Sequence, residues 1–118
     1  MNIEEFRNYC LSKKKVTEEF PFDETTLVFK VMGKIFALTG LNAEEFKVNL
    51  KCSPNYSIEL REKYEDVIPG WHMNKRHWNK VYFERDLEMN FLCQLIDHSY
   101  NLVVEKLKKA DRVLLENL

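Results

Sequence analysis

Glycine and proline are scarce, at three each in 118 residues, so flexible linkers and low-complexity segments are not expected. Cysteine is equally rare. Cys10, Cys52 and Cys93 are odd in number, far apart and without a C-x-x-C pair, which argues against a disulfide framework or a zinc ribbon and points to a reducing cytoplasm. No run approaches the ~20 apolar residues of a membrane span. Residues 1–15 are broken by Glu4, Glu5, Arg7 and three consecutive lysines, unlike a signal peptide. Excess charge of one sign is missing too: the formal net charge is −1, so affinity for a polyanion has to come from local arrangement.

Chemical motifs are also lacking. There is no Gly-rich phosphate loop, no H-E-x-x-H and no G-x-S-x-G. His72 and His77 have a spacing that does not favour a metal, and each cysteine falls in an apolar periodic position, where an inert buried thiol is the usual outcome. Asp97-His98-Ser99 has the letters of a catalytic triad, but helix neighbours project about 100° apart and cannot relay a proton. The expectation is a non-enzymatic protein without catalytic residues, metal or cofactor.

What is present suits one globular domain, with 45% hydrophobic and 13% aromatic residues. Residues 3–13 read as a helix: Asn2 is a good N-cap, Glu5 completes a capping box, and Ile3, Phe6, Tyr9 and Cys10 form an apolar stripe. Residues 17–23, with Phe20-Pro21-Phe22, read as a connection anchored by its aromatics. Stretches 26–32 and 34–39 form a hairpin about Gly33. Residues 46–52 alternate, with Phe46, Val48, Leu50 and Cys52 inward and Lys47, Asn49 and Lys51 outward.

Ser53-Pro54 opens a helix to about Tyr64. Stretches 67–73 and 77–84 read as two more strands joined at 74–76, the first at an edge or bulged because of Pro69 and Gly70. Asp86 is the expected cap of a last long helix with Phe91, Leu92, Leu95, Ile96, Val103 and Leu107 on one stripe. The tail, 110–118, reads as a short amphipathic helical extension of a 1–109 domain. The order α-β-β-β-α-β-β-α implies an α+β fold, an antiparallel five-stranded sheet with helices packed on one face.

Charge is distributed unevenly along this pattern. Stretches 25–43, 46–58 and 67–83 contain no Asp or Glu, yet carry Lys30, Lys34, Lys47, Lys51, Lys75, Arg76 and Lys80. If helices cover one sheet face, several of these lysines emerge on the other as a positive plate suited to phosphate. Lysines on exposed strands also simply solubilise a sheet and discourage edge pairing. The densest segment is Trp71-His72-Met73-Asn74-Lys75-Arg76-His77-Trp78-Asn79-Lys80, where cations alternate with aromatics and amides. It suits a wing that sets cations on phosphates, or a packed turn whose Trp71, Trp78 and Tyr82 dock a protein partner or a second copy.

Phe20-Pro21-Phe22-Asp23, Val28-Phe29-Lys30-Val31-Met32-Gly33-Lys34-Ile35-Phe36-Ala37-Leu38 and Val48-Asn49-Leu50-Lys51-Cys52 together resemble the MmcQ/YjbR family. So do the segment from Val67-Ile68-Pro69-Gly70-Trp71-His72 through Asn79-Lys80-Val81 and Leu95-Ile96-Asp97-His98-Ser99-Tyr100. The resemblance covers nearly the whole chain. It implies a CyaY-like or frataxin-like α+β fold, also compared with double-wing domains, and a DNA-binding role. Carried onto this chain, the wing is residues 73–78 and the DNA-facing residues are Lys30, Lys34, Lys51, Asn74, Lys75, Arg76, His77 and Lys80. Iron binding of the frataxin kind is not expected, because the first helix offers only Glu4 and Glu5 before turning basic at Lys13 to Lys15.

Overall fold

The computed structural model describes residues 1–70 and 73–118. Trp71 and His72, singled out in the sequence, lie outside the described residues. The elements are α1 (Ile3–Leu11), β1 (Val16–Glu19), β2 (Thr26–Val31), β3 (Lys34–Gly40), β4 (Lys47–Lys51), α2 (Pro54–Lys63), β5 (Val67–Pro69), β6 (Trp78–Tyr82), α3 (Met89–Glu105) and α4 (Lys109–Glu116). Among the described residues the strands form one sheet in the order β1-β2-β3-β4-β6-β5, with every neighbouring pair antiparallel.

The α+β class and the antiparallel sheet agree with expectation, but the sheet has six strands rather than five. The added strand, β1, is Val-Thr-Glu-Glu, too polar to read as a strand by composition. Pairing with β2 and ion pairs hold it: Arg7 of α1 reaches Glu18 at 2.8 Å, and Lys30 of β2 reaches Glu19 at 3.3 Å. A short, charged edge strand also resists pairing with other chains. The connection after it is not anchored by aromatics, since Phe20 and Phe22 are 48% and 65% exposed. Asp23 organises it instead, its Oδ1 accepting from the amides of Thr25 (2.9 Å) and Thr26 (2.7 Å).

Both bonds of the expected capping box at Asn2 form, at 2.8 and 3.0 Å. Pro69 ends an edge strand as expected. Gly70 lies so close to β6 that an added Cβ would stand 3.2 Å from both Trp78 and Asn49. The N-cap position of the long helix is Glu88 rather than Asp86, and the Glu88 side chain makes no capping hydrogen bond. The Asp86 amide is turned to the Asp66 carboxylate (3.4 Å), which also accepts from Arg85, and this arrangement delays the helix by two residues.

Phe6 of α1 packs edge-on against Phe29, Phe46 and Phe83 at 5.2–5.6 Å and joins helix to sheet at the centre of a core that also takes Leu60 of α2, Leu92, Leu95, Ile96 and Val103 of α3, and Leu115 of α4. The weakest seam of the sheet is β3–β4, where only Ala37–Leu50 and Leu38–Asn49 are in register. A bulge in the β2–β3 ladder leaves Phe36 as the extra residue, its ring turned against Tyr100 of α3 at 5.4 Å.

Two hydroxyls close this seam. Thr39 Oγ1 donates to the Lys47 carbonyl at 2.6 Å, and at the other end the fully buried Ser99 of α3 donates to the Phe36 carbonyl (2.5 Å) while accepting from the Lys51 amide (2.8 Å). Ser99→Ala leaves a buried N–H and C=O unpaired. It is expected to lower stability by about 1–3 kcal/mol in urea denaturation; a variant as stable as the parent would show that the two strands are held otherwise.

Candidate nucleic-acid interface

Antiparallel pairing sorts every loop to one of two ends of the sheet. β1, β3 and β6 begin, and β2, β4 and β5 finish, at the same end. That end receives Lys14 and Lys15 before β1, Lys34 after the β2–β3 turn, Lys51 closing β4, and Lys75 and Arg76 in the turn before β6. Lys106, the C-cap of α3, joins Lys34 and Lys51 around one cleft, and Lys108 and Lys109 follow after Leu107.

The opposite end receives Glu18 and Glu19 at the close of β1, Asp23 and Glu24, Glu44 and Glu45, Glu65 and Asp66, and Glu84, Asp86 and Glu88. There Arg85 lies over the Tyr82 ring at 3.6 Å and donates to Glu45 (2.6 and 2.9 Å) and Asp66 (3.3 Å), which holds its guanidinium above its usual pKa. The charges of the loops are therefore separated along the strand axis.

The expected DNA-facing residues are distributed accordingly. Lys30 is paired with Glu19. Lys80 stands mid-sheet between Asn49 and Ile68, in a cross-strand row that also contains Glu19, Val28 and Leu38. Lys47 lies at the acidic end, 5.5 Å over the Tyr82 ring. By register Lys30, Lys47, Lys51 and Lys80 share one face of the sheet, with Lys30 and Lys47 engaged by Glu19 and Tyr82. Lys34, Lys51, Asn74, Lys75, Arg76 and His77 do come together, at the basic end.

Asn74 uses its side-chain oxygen within the turn, accepting from the Arg76 amide at 3.0 Å, and the His77 carbonyl accepts from the Cys52 amide at 2.8 Å, tying the turn to the end of β4. Arg61 of α2 fixes it from beneath, donating to the carbonyls of Lys75 and Trp78 and, through Nε, to the buried Asn79 side chain at 2.7 Å. Trp78 is half-buried, and Tyr82 is covered by Arg85.

Sequence reasoning missed Lys14, Lys15, Lys106 and the anchoring role of Arg61. The lysines were visible as runs at element ends; only the antiparallel connectivity places them together. At the tip of the first run, Lys15 has φ 58°, and its carbonyl accepts from Met32, itself at φ 49°, so two left-handed non-glycine residues abut at this end.

The triad letters are divided among three neighbours. Asp97 accepts from Tyr9 (2.7 Å) and Lys13 (2.5 Å), His98 Nε2 accepts from the Ser53 amide (3.2 Å), and Ser99 bridges β3 and β4. Among the described residues no group of three or more His, Cys, Asp or Glu is placed to hold a metal, and no helix is long and apolar enough to cross a membrane.

Burial holds His98 below the ordinary imidazole pKa, partly opposed by Glu105, and as an acceptor it has to stay neutral. A base with a depressed folded pKa contributes stability that is full above the unfolded value of about 6.5 and is lost as pH falls toward the folded value. Unfolding free energy of the parent is therefore expected to drop more steeply than that of His98→Gln below about pH 6.5. Parallel curves would contradict this.

A family model described as YjbR matches residues 11–102. The chain is 33% identical over 118 residues to the uncharacterized protein YjbR of Escherichia coli (strain K12), covering all of both chains. It is 42% identical over 94 residues to the uncharacterized protein YbdF of Escherichia coli O157:H7, covering 79% of this chain and 76% of that one. The crystal structure of Deinococcus radiodurans protein DR2400, with domain DUF419, superposes with a TM-score of 0.90 at 35% identity, covering 98% of this chain and 88% of that one. By sequence over most of its length and by fold, this chain belongs to the YjbR family.

Proposed function

We propose that this chain is a non-enzymatic DNA-binding protein that holds the phosphate backbone at the basic end of its sheet. The observation that supports this reading is the gathering of Lys14, Lys15, Lys34, Lys51, Lys75, Arg76 and Lys106 at one end, with the carboxylates of the loops at the other. A molecule with net charge −1 gains little from bulk attraction, but a dipolar one is oriented by a polyanion, basic end first.

The turn at 73–77 serves as the wing. Arg61 and the Cys52 amide fix its backbone, and Arg76 stands exposed at its tip. Binding is sequence-tolerant, because the Asn74 carbonyl oxygen is engaged within the turn and the remaining groups are cations suited to phosphate rather than to base edges.

Fluorescence anisotropy with a short duplex at several salt concentrations tests the reading. Each phosphate contact contributes about −0.9 to the slope of log K against log salt. The triple substitution Lys15→Gln, Lys34→Gln, Arg76→Gln is expected to flatten that slope by about 2 to 3 units and to weaken binding at low salt. Lys30→Gln, removing a cation already paired with Glu19, changes it little. An unchanged slope in the triple variant, or no binding by the parent, refutes the proposal.

A further inference from the structure

Beyond the Ala37–Leu50 pair β3 and β4 part. Ser99 bridges the gap inside, and outside it opens as a cleft of about 220 Å³ lined by Lys34, Ile35, Lys51, Val103 and Lys106. Three lysines thus line it from three places: the start of β3, the end of β4 and the C-cap of α3. Among the described residues none of the three has a carboxylate within 4.0 Å, whereas Lys13 and Lys30 are ion-paired and Lys47 and Lys63 lie over tyrosine rings.

A lysine at a helix C-terminus offsets the helix dipole, and that accounts for Lys106. It does not account for Lys34 and Lys51 closing on the same space. Burial and the charge of Lys106 hold the Lys51 ammonium below its ordinary pKa, so the cationic form is under a strain that an anion would relieve.

Size and polarity narrow the ligand. The cleft is smaller than the ~300 Å³ at which pockets for drug-sized molecules begin, and its three lysines suit a small oxyanion. Three cations against one apolar wall, Ile35 and Val103, favour a doubly charged group over the singly charged diester of an internal DNA phosphate.

We propose that this cleft binds a phosphoryl dianion, either free phosphate or the terminal phosphomonoester of a nucleic-acid strand. It shares the basic end with the DNA-binding reading but does not require it.

The test is titration of the full chain with inorganic phosphate, against chloride at equal ionic strength, followed by amide chemical shifts. Saturable shifts are expected at Ile35, Lys51, Val103 and Lys106, with affinity reduced about tenfold in Lys51→Met and in Lys106→Gln, the loss of one charge-assisted hydrogen bond. Lys34→Gln, at the exposed first position of β3, provides a variant whose folding is not at issue and is expected to weaken phosphate in the same direction.

Shifts that do not saturate, that appear equally in chloride, or that persist unchanged in all three variants overturn the proposal. A strand with a 5′-phosphate binding more tightly than its 5′-hydroxyl counterpart identifies the strand end as the source, and equal binding of the two identifies free phosphate. Loss of duplex binding with phosphate binding intact removes the DNA reading and leaves the cleft.

Discussion

Ser99 has its hydroxyl where a sheet hydrogen bond is missing. The bulge leaves Phe36 out of the β3–β4 register with its ring against Tyr100, and the Lys51 amide bonds Ser99 rather than a strand carbonyl. A buried unpaired amide and carbonyl cost far more than an ordinary hydrogen bond gains. One serine, itself without exposed surface, satisfies both. The helix that carries it is thereby fixed in rotation and height against the sheet. His98 and Asp97 on the same turn take hold of α2's entry and α1's exit. Everything that reaches the basic end through α3, Lys106 above all, takes its position from this splice.

The parting of β3 and β4 is also what makes a cleft there at all. Two strands in full register would have brought Lys34 and Lys51 onto a continuous surface. The short ladder instead leaves Lys34 and Lys51 lining a gap together with Lys106 and Val103. At the far end the corresponding seam is closed by Thr39, and the surrounding carboxylates are gathered by Arg85, which bridges Glu45 and Asp66. Repulsion at the acidic end is met by an internal cation, while the three lysines of the cleft have no internal anion. The asymmetry gives the molecule a polarity along its strands that its near-zero net charge conceals.

Much of the fold was legible because it is written in local periodicity. The alternation of Phe46, Val48, Leu50 and Cys52, the Asn2–Glu5 box, Ser53-Pro54 and the Gly33 hairpin each state a backbone requirement within a few residues. β1 was not legible, since only Val16 and Thr17 of its four residues favour a strand, and Glu18 and Glu19 depend on β2, Arg7 and Lys30. Asp86 misled because a carboxylate twenty residues distant in sequence does not advertise its claim on an amide.

For the site, periodicity told which face a lysine leaves but not which end it reaches. Face and end are different coordinates, and the second requires strand order. Hence Lys30 was grouped with Lys34, although one is paired with Glu19 and the other lines the cleft. Ser99 was visible as the last letter of an accidental triad and within a segment of the family resemblance, neither of which told its role between β3 and β4.

Amide hydrogen exchange at Lys51 addresses the splice most directly. If Ser99 holds that amide, Lys51 exchanges as slowly as its neighbour Leu50 in the parent, and Ser99→Ala accelerates it selectively while Phe29 and Val31 of β2 keep their protection. Rapid exchange at Lys51 in the parent, or equal protection with and without the hydroxyl, would contradict the account.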